Sequence, residues 1–238
     1  MRIACWSGPR NISTALMRSW SSREDTHVSD EPFYAYYLKE KKIKHPMHKE
    51  IIKHYPNSYE DVVTGLISKI PYGKKIWYQK HMAHHLIDLN NIDWIQNFEN
   101  CILIRHPRDV INSYTKKNTL RSIEDLGYNQ QYKIIQYLKD KGIEPIIIDS
   151  NILLSNPQDI LSKWCNYINI KFDISMLSWS RGHKSTDGIW WKHWYENVVD
   201  STHFTNFKKK DITIDQEFYH IYKESLDIYQ KMYSLAIK

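Results

Sequence analysis

Three cysteines in 238 residues, Cys5, Cys101 and Cys165, are too few and too odd a number for a framework of internal disulfides. Cys5 and Cys101 sit in apolar runs that read as strands, and Cys165 in a stretch that reads as a helix. Buried free thiols in a reducing compartment are the expectation. No apolar run approaches the ~20 residues needed to cross a bilayer. An apolar signal region is lacking as well, since Arg2-Ile3-Ala4-Cys5-Trp6 already reads as a strand. These absences lead us to expect a cytoplasmic chain with no membrane partner. Internal repeats, low-complexity linkers and a long Lys/Arg block are also missing. The formal charge of +6 and pI near 9.0 favour an anionic partner. With the basic residues scattered, nucleic acid is the weaker reading of that charge and a nucleotide the stronger.

What is present is core material: 42% hydrophobic and 25% charged residues, the balance of an ordinary globular protein. Residues 2–6 read as a buried strand, Ser7-Gly8-Pro9-Arg10-Asn11 as a turn, and Ser13 to Trp20 as a helix. Further strands are expected at 27–29, 75–79, 101–104 and 145–149, and helices after Arg105-His106-Pro107-Arg108-Asp109 through Tyr114, over 124–141, from Asn156-Pro157 to about Ile168, and over 215–236. Residues 33–70 read as helical pieces broken by Pro46 and Pro56, a lid or insert within one domain spanning 1–238. Strands alternating with helices, several wholly apolar, predict an α/β fold with a doubly wound parallel β-sheet flanked by helices. In such sheets the ligand sits beyond the carboxyl ends of the strands, which gathers Arg10, Glu31, Lys80, His81 and Arg105 at one edge.

The segment Ser7-Gly8-Pro9-Arg10-Asn11-Ile12-Ser13-Thr14 links the first strand to the first helix. Backbone N–H groups at a helix start carry partial positive charge and favour an anion there. Arg10 adds a guanidinium, and Ser13 and Thr14 add hydroxyl donors. The full Walker pattern, with Gly-Lys-Ser/Thr closing the loop, is absent, which counts against a metal-dependent nucleotide hydrolase. A second strand-to-helix turn, Arg105-His106-Pro107-Arg108-Asp109, is followed by Ser113 eight residues beyond Arg105. A guanidinium and a hydroxyl so placed can replace the water around a phosphate dianion. Asp109 is expected to pair with Arg108 or to cap the helix rather than to do chemistry.

Both segments resemble motifs of the sulfotransferase family. The first is similar to its 5′-phosphosulfate loop, bacterial versions of which read Pro-Arg-Ser-Gly-Ser-Thr; Ile12 stands here at the glycine position. The second is similar to its 3′-phosphate motif. A looser likeness links Arg181-Gly182-His183-Lys184 to the family's late basic loop over the nucleotide. Its continuation through Trp190, Trp191, Trp194 and Tyr195 resembles a bacterial and plant branch related to proteins called branched-chain aminotransferase-like. The resemblance implies a P-loop NTPase-like architecture and the donor 3′-phosphoadenosine 5′-phosphosulfate (PAPS). Arg10, Asn11, Ile12, Ser13 and Thr14 would face its 5′ end and Arg105 and Ser113 its 3′-phosphate, with Arg181 and Lys184 as further contacts. For each tryptophan, core packing outweighs stacking on adenine or lining an acceptor pocket.

Sulfuryl transfer needs a base for the acceptor's proton and cations around the moving group, with no metal required. Two residues compete as base. His81 follows the third strand beside Lys80, where cytosolic members of the family carry a catalytic histidine. Glu31, in Asp30-Glu31-Pro32-Phe33, resembles the carboxylate segment of a trehalose-type bacterial member. Lys80 and Arg10 would stabilise developing charge. A zinc reading of His81, His84 and His85, with residues 81 and 85 on one helix face, lacks a third ligand and a glutamate between them. The acceptor is expected to be a small molecule with a hydroxyl or amine. The rival readings are a small-molecule P-loop kinase and a nucleotide-binding relic without activity.

Overall fold

The computed structural model describes residues 1–89, 91–207 and 211–238. Five strands, β1 (Arg2–Ser7), β2 (Thr26–Asp30), β3 (Ile76–Met82), β4 (Glu99–Ile104) and β5 (Ile146–Asp149), form one parallel sheet in the order β2-β3-β1-β4-β5. The helices are α1 (Ser13–Ser21), α2 (Tyr34–Glu40), α3 (His48–His54), α4 (Tyr59–Ile67), α5 (Pro107–Tyr114), α6 (Tyr128–Asp140), α7 (Ser150–Ser155), α8 (Pro157–Tyr167), α9 (Trp191–Trp194), α10 (Glu196–Val199) and α11 (Tyr219–Tyr233). The expected doubly wound sheet is therefore present, with the P-loop NTPase-like strand arrangement. Among the described residues no helix is long and apolar enough to cross a membrane.

Side-chain alternation along the strands builds two cores, one on each face. Ala4, Trp6, Ile102, Ile104 and Ile147 pack with α6 and α11. Ile3, Cys5, Cys101, Leu103, Ile146 and Ile148 pack with α1 and α8. On the second face Trp20 stacks on Tyr78 at 5.5 Å and meets Trp164 edge-on at 4.9 Å. Such aromatic pairs add about 0.5–1.5 kcal/mol each beyond the area they bury. A third, smaller core joins α2 and α3 to the late aromatic segment through Tyr34, Leu38, Ile51, Trp190 and Tyr195. The three cysteines are buried free thiols.

Three differences from the sequence expectation matter for the site. β3 runs on to Met82, so Lys80 and His81 lie inside a strand rather than after it. A short helix, α7, begins directly after β5, its Asp149 cap accepting from the N–H groups of Asn151 and Ile152. The expected helix over 124–141 is split, with a short 3-10 turn Ile123–Leu126 set off from α6 by Gly127 at φ 78.

Candidate active site

β1 lies at the centre of the sheet, with β3 and β4 on either side, and the chain beyond its carboxyl end is held tightly. A Cβ on Gly8 would sit 2.4 Å from the Leu126 carbonyl oxygen, a backbone atom, so no larger residue fits. Asn11 Nδ2 donates to Leu103 O at 3.0 Å, and Ser150 Oγ lies 2.9 Å from Asn11 O. Arg10 and Ile12 both take left-handed backbone angles, φ 62 and φ 59. For a β-branched residue this conformation is strained, which gives a physical reason for glycine at the Ile12 position of the family motif. Ile12 caps α1 without any side-chain hydrogen bond, so the first N–H groups of that helix have no side-chain acceptor. Ser13 and Thr14 line the cavity in front of them.

The β4–α5 turn meets this loop from the other side. Arg105 Nη1 donates to Arg10 O at 2.8 Å, and Arg10 Nε donates to Ser113 Oγ at 2.8 Å. Residues more than ninety positions apart thus form one surface, lining a single cavity of about 720 Å³. Burial, reinforced by the nearby Arg105, holds the Arg10 guanidinium below its ordinary value. Two half-buried like charges facing a cavity create a strong preference for an anion between or beside them. Asp109 neither pairs with Arg108 nor caps α5. It accepts from Asn151 Nδ2 at 2.9 Å and stands 4.0 Å from Arg105 Nε, while His106 caps the helix.

At the neighbouring strand ends, register places Asp30 opposite Lys80. Lys80 Nζ, 1% exposed, contacts Asp30 Oδ1 at 2.9 Å, Glu31 Oε1 at 2.7 Å and the Tyr195 hydroxyl at 2.6 Å. Tyr195 in turn donates to the Asp30 carboxylate at 2.8 Å, and Asp30 Oδ2 accepts the Gly188 N–H at 3.0 Å. The buried ammonium is thus fully paired, the condition under which such a charge is tolerated. Burial pulls Lys80 down, but the two carboxylates outweigh it and leave it raised. Burial pushes the Glu31 carboxyl up, against the pull of Lys80. Glu31 sits at φ 45 just before Pro32, held by its own N–H to Lys80 O at 2.9 Å. A left-handed residue before proline stores strain of about 1–3 kcal/mol, a common mark of working sites.

The expectation that His81 shares this site needs correction. Because β3 continues through it, His81 points to the opposite face from Lys80, stacked on Trp6 at 4.3 Å and 1% exposed. Its ring is pushed by burial down to about 3, and it does not line the cavity. The supposed shared helix face of His81 and His85 does not exist either, since His85 belongs to a 3-10 turn, Ala83–His85. His84 and His85 do line the cavity, with His45 and Tyr34. Arg181 and Lys184 do not; Arg181 is exposed and Lys184 bonds to Ser180. Of the three tryptophans, Trp190 is core at 1% exposure, Trp191 stacks on His183, and only Trp194 reaches the cavity wall. Sequence reasoning overlooked Tyr195 and Asp30 as partners of Lys80. The one available signal was Asp30 standing at a strand end beside Glu31.

The fold gathers these cations on one cavity beyond the carboxyl ends of the strands, and comparison with known proteins gives the family. A family model described as a sulfotransferase domain matches residues 1–236, and the chain belongs to that family. It is 34% identical to branched-chain-amino-acid aminotransferase-like protein 1 of Arabidopsis thaliana over 95% of this chain, and 33% identical to protein 2 of the same name over the same share. The chain spans 40% of the length of each of these relatives. Among solved structures it resembles the sulfotransferase domain from the curacin biosynthetic pathway, with TM-score 0.52, 15% identity, and 99% and 98% of the two chains covered. A sulfotransferase from Alicyclobacillus acidocaldarius matches with TM-score 0.54 and 11% identity, over 98% and 96%. At these identities the structural likeness speaks for the fold.

Proposed function

We propose that this chain moves a sulfuryl group from PAPS to a hydroxyl or amine of a small-molecule acceptor, as one cytoplasmic domain with the segment around 33–70 acting as a lid. One observation carries this reading: Arg10 and Arg105, from turns far apart in sequence, meet with Ser113 on a single cavity. A ligand with anionic groups at two separated positions suits that pair. The α1 N-terminus, Ser13 and Thr14 take the 5′-phosphosulfate, and Arg105 and Ser113 take the 3′-phosphate. Asn11 and Ile12 shape the loop rather than bind through their side chains, Asn11 being 1% exposed and bonded to Leu103 O.

Of the two candidate bases we favour Glu31, which lines the cavity with one carboxylate oxygen unused by Lys80, over His81, which faces the core. A carboxyl raised by burial is a better proton acceptor than an ordinary one. Arg10 holds charge on the transferring group, while Lys80, its three donors taken by Asp30, Glu31 and Tyr195, holds the Glu31 carboxylate in place.

Isothermal titration with 3′-phosphoadenosine 5′-phosphate and, separately, ATP with magnesium tests the donor. Preference for the first is expected, with Arg105→Ala lowering affinity about tenfold or more. Preference for ATP would favour the kinase reading, and an unaltered affinity in Arg105→Ala would remove the motif's role. Turnover of PAPS over a panel of acceptors separates an enzyme from a relic.

A further inference from the structure

The acceptor end of the cavity holds a carboxylate that is only half engaged. Glu31 Oε1 accepts from Lys80 and stands 3.3 Å from the Tyr195 hydroxyl, whereas Oε2 faces His85 Nδ1 at 4.0 Å. That gap is too long for a hydrogen bond. His85 is 3% exposed, lines the cavity, and its Nδ1 has no hydrogen-bond partner. Its ring is clamped between Tyr34, parallel at 4.9 Å, and Tyr37 at 4.5 Å, so it cannot turn away to find one. An acceptor oxygen and an imidazole nitrogen about 4 Å apart can both be served by one donor nitrogen placed between them.

Charge points the same way. The buried cluster sets two carboxylates, Asp30 and Glu31, against one ammonium, Lys80. A doubly phosphorylated donor in the same cavity would add several negative charges, more than Arg10 and Arg105 supply. An anionic acceptor would meet repulsion throughout, and a neutral one would leave the excess uncompensated. Aromatic walls from Tyr34 and Trp194 also favour a cation over an anion.

We infer that the acceptor is a primary amine bound as its ammonium between Glu31 Oε2 and His85 Nδ1, and that this nitrogen receives the sulfuryl group. The inference rests on the sulfotransferase reading of the cavity and narrows its acceptor class. Glu31 Oε2 takes one proton from the ammonium. The freed lone pair forms the N–S bond as the S–O bond to the 5′-phosphate breaks, its electron pair staying on that phosphate oxygen. The second N–H proton passes to water, leaving an N-sulfonated product. His85 acts as a positioning residue that accepts a hydrogen bond from the incoming nitrogen.

The test is titration of the full chain with phenethylamine, phenethyl alcohol and hydrocinnamate, each with and without 3′-phosphoadenosine 5′-phosphate. The amine should bind about tenfold or more tightly than the alcohol, the carboxylate weakest, and the nucleotide should strengthen the amine. Glu31→Gln should lower amine affinity about tenfold and alcohol affinity by a clearly smaller factor, and His85→Phe should lower amine affinity less than Glu31→Gln does. Equal affinity for amine and alcohol, no amine binding at millimolar concentration, or an amine affinity indifferent to Glu31→Gln would overturn the inference. Amine binding that depends on Glu31 in a chain that ignores the nucleotide would sustain the amine subsite and refute the donor assignment instead.

Discussion

Arg18 on α1 and Asp187 in the late aromatic segment offer a sharp test of how the cavity wall is secured. The guanidinium meets the carboxylate through two contacts of 2.6 Å, and neither side chain is exposed. Asp187 Oδ2 also accepts the Lys184 N–H at 2.7 Å. Each ion loses several kcal/mol of hydration on burial, which the paired geometry offsets. Removing one partner leaves the other buried and unmatched, at a cost of about 3–5 kcal/mol. Against a total stability of about 5–15 kcal/mol, that is a large share. Arg18→Met and Asp187→Leu should each show it in urea unfolding at neutral pH, followed by the fluorescence of the nine tryptophans. The double variant, with two apolar side chains in place of two ions, should regain most of the loss, giving a coupling of about 5 kcal/mol or more. Single variants within about 1 kcal/mol of the parent, or a double variant equal to the sum of the singles, would show that the pair is not what holds this segment to α1.

Further outcomes follow from other contacts. Gly8→Ala drives a methyl into the Leu126 carbonyl, and unfolding curves should show a loss of about 1–3 kcal/mol; a neutral result would mean the loop yields easily. Tyr195→Phe strips a buried hydroxyl from Asp30 and Lys80 and should cost about 1–3 kcal/mol by the same measurement. His81, held neutral with its pKa down to about 3, refuses protons that the unfolded chain accepts near 6.5. Its contribution is therefore complete above that value and lost as the pH falls below it. Between about pH 7.5 and about pH 5.5 it accounts for about 1.4 kcal/mol of lost stability. His81→Phe should shrink the pH dependence by that amount, and an unaltered dependence would argue against a buried neutral ring.

The alternation of strands and helices and the two arginine-bearing strand-to-helix turns were legible because each rests on local pattern: a wholly apolar run, then turn residues, then a helical period. β3 misled for the same reason. Its apolar run ends before Lys80, and the polar residues beyond it stay in the strand because Asp30, Glu31 and Tyr195 satisfy Lys80 from other elements. Extending the strand by three residues fixes side-chain parity, which sends Lys80 to the cavity and His81 to the core. No local signal reveals such a partner. Arg181 and Lys184 failed differently, since a run of basic and glycine residues fits a solvated turn as well as a phosphate clamp. Asp187 in the same stretch proved to be the buried ion, paired with Arg18 from a distant helix.

The bonds joining the two arginine turns have a consequence for ligand size. Arg105 fastens the carbonyl of Arg10, and Arg10 fastens the helix that follows Arg105. Any anion that draws one guanidinium from its present partner slackens the opposite turn. Two separate small anions would therefore affect one another by an equal factor in each direction, as linkage requires. A single molecule reaching both ends gains in addition from the tether between its groups. For the donor proposed above, discrimination by span would thus join discrimination by charge through a pair of hydrogen bonds.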